Sequence, residues 1–411
     1  MKEGIFEWID KAGQMAVELQ IELTKRPAIS PDYGGEGELE KCLFLESWLR
    51  SYGITQLERF DAPDKRAKGG IRPNLIASIQ GSGQTDGCLW VISHLDVVPP
   101  GEMSLWNSDP WTLVESKGAE HRLTGRGVED NQQGIVSSAL AALALHKLGL
   151  QPRRTLKLLF AADEETGSAL GMNWLMENHS GLFSKNDIAV VPDGGSQNGD
   201  SIEIAEKNLI WVRFVIKGIQ AHGARPDEGA NACLAGAELA LRLHNELSEI
   251  FNERDPLFQP DYSTFEPTKK EANVPNINTI PGEDVFYMDL RILPRYSNQA
   301  VLNEIDRIKD EVTAKHRVAI SYSLPQYSEA PATSFQSPLA QALSAAIGEV
   351  YGIPAHPSGA GGNTIAAFLR RAGIDSAVWS RLNGSAHQPN EFALVENILG
   401  DAKVLALLAI T

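Results

Sequence analysis

The chain has 411 residues, of which 43% are hydrophobic and 22% charged, enough for two domains or one large α/β domain with a self-sufficient core. Its 53 acidic and 37 basic residues give a net charge of −16, which argues against a general nucleic-acid binder, because that function needs a basic face. Three scattered cysteines, Cys42, Cys88 and Cys233, supply neither a disulfide framework nor a zinc-finger spacing, and the simplest compartment is a reducing cytoplasm. The opening residues carry acids in their first turn and are not read as a secretory signal. No apolar run approaches the roughly 18 residues of a membrane helix.

In chain order, Phe6–Lys25 and Glu36–Tyr52 place apolar residues at three- and four-residue spacing and predict amphipathic helices. The short apolar runs Asn74–Gln80, Cys88–Ser93, Thr155–Ala161 and Asp187–Val191 predict buried strands, and Gln133–Leu148 an Ala/Leu-rich helix. This alternation predicts an α/β architecture with a mostly parallel sheet between helices. From Lys207 the pattern changes to strand Leu209–Lys217, helix Asn231–Ile250, strands Asn276–Ile280 and Val285–Ile292, helix Val301–His316 and strand Val318–Ser323. That order is the βαββαβ plan of a ferredoxin-like α+β domain, with Asp255–Pro275 read as a surface loop. Leu234, Ala237, Leu241 and Leu247 form an apolar stripe on its long helix, facing either its own sheet or a second subunit. After about Ser334 the α/β character returns in helices Leu339–Tyr351 and Thr364–Ala372, strand Ser376–Trp379 and a final helix from Val395. The expected organisation is a discontinuous domain, 1–206 and 328–411, carrying an inserted domain, 207–327.

Five segments carry candidate chemistry. In CLWVISHLDVVPPG, a strand delivers His94 and Asp96 to the same side, and a carboxylate beside an imidazole is a common way to orient a metal-binding histidine. In LTGRGVEDNQQG, Asp130 stands at the start of a helix, either as a first-turn acid or as a ligand. The glycines there fit neither a P-loop nor a dinucleotide fingerprint. In TLKLLFAADEETG, a strand ends in Asp163, Glu164 and Glu165, a clustering of charge that calls for a cation or a functional proton. DIAVVPDGG brings Asp193 beside two glycines that permit close backbone approach, and SAHQPNEF places His387 in a loop. Strand ends are where open α/β sheets bind ligands. Two histidines and three or four carboxylates, without cysteine, suit two divalent ions sharing a carboxylate, zinc first and cobalt or manganese next.

These five motifs, in this order, resemble the co-catalytic zinc hydrolases that include aminoacylase, acetylornithine deacetylase, succinyl-diaminopimelate desuccinylase, glutamate carboxypeptidase and several dipeptidases. The resemblance implies that His94, Asp130 and Asp193 hold one Zn²⁺, and that Asp130, Glu165 and His387 hold a second, with Asp130 bridging. It implies that Glu164 is the general base, Asp96 the partner of His94, and the Asp130–Asn131 peptide cis. It gives the inserted domain the role of a lid and dimerisation element. His222, in GIQAHGARP, becomes an oxyanion donor acting within its own subunit or across a homodimer. Arg291, in MDLRILP, becomes a fork for a substrate carboxylate, with Asn278 and the backbone at Gly361 and Gly362 as further substrate contacts. Asp193 is the residue more frequent in aminopeptidases and dipeptidases, where deacylases usually carry Glu, and Asn363 replaces a common Thr/Ser-Asp. The expected substrate is a small amino-acid derivative bearing a carboxylate, and the activity that of a deacylase of N-acyl amino acids, with a dipeptidase or aminopeptidase as the other reading. A catalytically dead binding module would show a lost ligand or base, and every position is filled.

Overall fold

The computed structural model describes every residue except Gln84 and Asn363. The chain divides into two compact units: Met1–Ile204, Thr333–Ser358 and Thr364–Thr411 form the first, and Ala205–Ala332 with Gly359–Asn363 the second. The short piece 359–363 groups with the second unit, whereas the sequence pattern places it with the first.

Among the described residues, eight strands form one mixed sheet in the order Leu57–Pro63, Ile71–Ile79, Thr155–Ala161, Cys88–His94, Ile188–Ser196, Asp375–Arg381, Ser201–Glu206 and His356–Ala360. Thr155–Ala161, Cys88–His94, Ile188–Ser196 and Asp375–Arg381 are parallel to one another, and the strands flanking them pair antiparallel. Trp90, Ile92, Leu159, Ala189 and Val191 pack on one face with Leu175, Ile365 and Leu369. Their neighbours Leu89, Val91, Leu158, Phe160 and Val190 are buried as well. Successive side chains on a strand point to opposite faces, so a strand covered on both sides reads as an unbroken apolar run.

Helix Gln132–Lys147 is buried from Gln132 to Leu145 and packs against helix Val395–Ile410. A Cβ at Gly134 would lie 2.7–2.9 Å from Asn131 Oδ1 and from Pro192, so glycine is what lets this helix begin against strand Ile188–Ser196. The single N-terminal helix expected over Phe6–Lys25 is two, Lys2–Lys11 and Gly13–Thr24, separated at Ala12. A small sheet not foreseen joins Phe392–Leu394 to His121–Thr124 and Val114–Lys117, with Phe392 opposite Thr124.

The second unit is an antiparallel sheet in the order Thr264–Lys270, Glu283–Ile292, Asn208–Lys217, Ala319–Ser328, with helices Ala232–Ile250 and Asn298–His316. The βαββαβ plan is present, but its second strand is Thr264–Lys270, inside the stretch read as a loop. Only Thr279–Ile280 of the strand expected at Asn276–Ile280 is extended, and it pairs with Ala221–His222. Pro267, Lys269 and Lys270 hid the edge strand, since proline and lysine are tolerated where one side of a strand is unpaired. Ile210, Val212, Phe214 and Ile216 alternate into the core with Phe286, Met288 and Leu290. The helix stripe that covers them is Ala235, Leu239, Leu243 and Leu247, while Leu234 and Leu241 are 56% and 62% exposed. The stripe expected from sequence therefore points mostly to the surface, sharing only Leu247 with the core.

Candidate metal centre

The four parallel strands deliver their carboxyl ends to one place. His94 is the last residue of its strand, Asp193 lies near the end of Ile188–Ser196, and Glu164 and Glu165 occupy the turn after Thr155–Ala161. His387 follows Asp375–Arg381 in a loop with φ 62°, and Asp130 precedes the buried helix, its peptide to Asn131 cis as the resemblance implies.

The ligating atoms of His94, Asp130 and Asp193 lie within 4.8 Å of one another, and so do those of Asp130, Glu165 and His387. Asp130 divides its oxygens between the groups: Oδ1 is 2.9 Å from His94 Nε2 and Oδ2 is 2.9 Å from His387 Nε2. His94 Nε2 is 3.5 Å from Asp193 Oδ1, and His387 Nε2 is 3.2 Å from Glu165 Oε2. The Asn131 side-chain amide donates to Asp193 Oδ1 at 2.8 Å and to the Pro192 carbonyl. Gly195 brings the Asp193 strand against Ser380, where a Cβ would meet the Ser380 carbonyl at 2.1 Å.

The donor set fits divalent cations. Glu165 Oε1 is buried with no hydrogen-bond partner among the described residues, an arrangement that is costly unless a cation meets it. His94 Nδ1 donates to the Asp96 carbonyl at 2.9 Å, which leaves Nε2 as the nitrogen available to a cation. Burial alone would lower the His94 pKa, but Asp193, Asp130 and Asp96 outweigh it and hold the imidazole well above its ordinary value. Hydrogen bonds to Asp130 and Glu165 push His387 up to about 10. Burial would raise Asp130, yet His387 and His94 hold it below the ordinary carboxylate range. Burial raises Asp193 and Glu165, each against a neighbouring histidine.

Asp96 departs from expectation. Its backbone carbonyl, rather than its carboxylate, orients His94, the carboxylate oxygen being 3.5 Å from Nδ1. The carboxylate instead accepts the N–H groups of Glu164 and Glu165, both at 3.0 Å, and so fixes the turn that presents them. Burial, then the charges of Asp193, Glu165 and Asp96, keep the Glu164 carboxyl well above its usual range, against the pull of His94.

The remaining candidates lie in the second unit. His222 is exposed on the ribbon it forms with Thr279, its Nδ1 accepting from Ala224 N–H, and Asn278, in the turn just before Thr279, is exposed as well. Arg291 gives Nε and Nη2 to Asp289 at 2.6 and 3.0 Å, and Nη1 to the Gly361 carbonyl at 2.9 Å. Gly361 thus meets Arg291 through its carbonyl rather than its N–H, with Gly362 alongside. Asn363 lies outside the described residues. Sequence reasoning passed over Glu129 and Glu391, buried acids next to Asp130 and four residues after His387, whose only signal was their proximity to ligand candidates.

Two half-sites of one histidine and two carboxylates each, sharing Asp130 at the strand ends of an α/β sheet, form a donor set of the kind a metallohydrolase uses. Residues 90–411 match the model of peptidase family M20/M25/M40, and the chain belongs to that family. It is 37% identical over 406 residues to an uncharacterised metallohydrolase of Methanococcus maripaludis, covering 94% of this chain and 97% of that one. It is 29% identical over 364 residues to succinyl-diaminopimelate desuccinylase of Parvibaculum lavamentivorans, covering 86% and 85%. A di-peptidase structure from Saccharomyces cerevisiae shares the fold at a TM-score of 0.75 and 16% identity, over 100% of this chain and 98% of that one. The chain is a metallohydrolase of this family. Among the described residues no helix is long and apolar enough to cross a membrane.

Proposed function

We propose that this metallohydrolase cleaves the amide bond of a small N-acyl amino acid. His94, Asp130 and Asp193 would hold one divalent cation and Asp130, Glu165 and His387 the other. The observation that carries this reading is the sharing of Asp130, whose two oxygens stand 2.9 Å from two different imidazoles. Zinc suits the mixed nitrogen and oxygen donors, with cobalt and manganese next. Such ions supply Lewis-acid activation of water and of the scissile carbonyl.

The protein's own part is proton transfer and positioning. Glu164 takes the proton of the attacking water and returns it to the leaving nitrogen, and its raised pKa suits a group that must both accept and donate. Asp96 holds that turn in place. His222 is the candidate donor to the tetrahedral oxyanion. Arg291 is the candidate for the substrate carboxylate; Asp289 occupies one edge of its fork, leaving N–H groups of Nη1 and Nη2 for the ligand. A homodimer is part of the same reading, supported by the exposed Leu234 and Leu241.

Two relatives favour different substrates: the desuccinylase an acyl group, the di-peptidase a peptide. Asp193 supports the second. A panel of N-acetyl- and N-succinyl-amino acids against dipeptides, with Zn²⁺, Co²⁺ or Mn²⁺ supplied, decides between them. We expect acyl-amino acids to turn over, and turnover of dipeptides alone rejects the deacylase. In the same assay Glu164→Gln should lose roughly 10²–10⁴-fold in rate while retaining its metal.

A further inference from the structure

Two buried carboxylates outside the candidate ligand set tie the Asp130 loop and the His387 loop to each other. Glu129 and Glu391 are 2% and 0% exposed. Glu129, immediately before Asp130, accepts the N–H groups of Asn383 and Ser385 and the Ser385 hydroxyl, the last at 2.6 Å. Glu391 reaches the opposite way. It accepts the N–H groups of Gly127, Glu129 and Asp130 at 2.9, 2.9 and 3.0 Å, and the Arg126 guanidinium at 2.6 Å. Each loop therefore provides the acceptor that satisfies the buried amides of the other, and buried amides without acceptors are costly. An ionised carboxylate only accepts, so it matches a ring of donors; an amide side chain would turn an N–H₂ toward them.

The two half-sites depend on this clasp unequally. His94 and Asp193 belong to strands of the central sheet, and Asn131 links Asp193 to the start of the buried helix. His387 belongs to a loop, its side chain 56% exposed, and Ser385 two residues earlier is bound to Glu129.

We propose that Glu129 and Glu391 are positioning residues that fix the distance from Asp130 to His387, and so determine occupancy of the second cation site without touching the cation. This rests on the two-cation reading above. The test is calorimetric titration of Zn²⁺ into chelator-stripped protein, with Co²⁺ absorption spectra as a second readout. Wild-type protein should bind two ions, and His387→Ala only the first. Glu129→Gln and Glu391→Gln should bind the first ion with unchanged affinity and the second roughly 10–100-fold more weakly, as outer partners of ligands commonly do. Ser385→Ala, which removes one hydroxyl from the clasp, should weaken the second step in the same selective way and covers the case in which a Gln variant does not fold. Two ions bound with wild-type affinities in the Gln variants and in Ser385→Ala overturn the proposal, and so does equal weakening of both steps, the mark of a general scaffold. Fewer than two ions on wild-type protein, or an unchanged second step in His387→Ala, overturns the two-cation reading itself and the proposal with it.

Discussion

His387 stands between Asp130 and Glu165 with its pKa up to about 10, so at neutral pH its ring carries a proton shared with those carboxylates. A folded value above the unfolded one, about 6.5 for histidine, stabilises the fold at low pH; that contribution is lost as pH rises through the folded value. A cation held by His387 would need the same nitrogen unprotonated, so loading would release protons. Calorimetry at pH 7 in buffers of different ionisation enthalpy should show proton release, and affinity should rise with pH towards 10. Heats independent of the buffer would contradict this. At this scale the sequence was informative where an acid or histidine followed an apolar strand, as at His94, Glu165 and Asp193, whose candidate ligand atoms meet those of Asp130 and His387. Asp96 was legible as a neighbour of the site but not in its partner, because two-residue spacing says which side a residue faces and not which donor it will meet. Glu129 and Glu391 were illegible because their partners lie more than 250 positions away.

The elements around the site are locked by charge as well as by apolar packing. Arg72, fully buried in strand Ile71–Ile79, donates to both carboxylate oxygens of Glu38 at the start of helix Leu39–Ser51, and lies 3.1 Å from Asp163 at the start of the Glu164 turn. Removing one partner of such a cluster leaves buried anions uncompensated. Arg72→Met should therefore cost about 3–5 kcal/mol, read from urea denaturation, and a loss under 1 kcal/mol would show that water or relaxation replaces the guanidinium. Buried strands were readable as apolar runs: Thr155–Ala161 has the expected bounds, whereas Ile188–Ser196 continues a few residues past its run. The edge strand Thr264–Lys270 was not, because only Phe265 of its residues is buried and the rest reads as loop.

Over the whole molecule, the periodicity change near Lys207 announced a second unit, and the structure turns at Ala205. What periodicity could not supply was which face of helix Ala232–Ile250 packs, since that helix carries apolar residues on two sides and only tertiary contact chooses between them. The unused side carries Leu234 and Leu241. If it is a subunit contact, Leu234→Glu with Leu241→Glu should convert a dimer to a monomer in sedimentation velocity while leaving the fold intact; an unchanged sedimentation coefficient would place the contact elsewhere.

The insertion at residue 205 also has a temporal consequence. His94, Asp130, Glu164, Glu165 and Asp193 all precede it, whereas the strand bearing the His387 loop follows its return at Thr333. On the ribosome, all the residues of one candidate triad are thus made before the excursion begins, and the imidazole of the other is translated only after the excursion is complete.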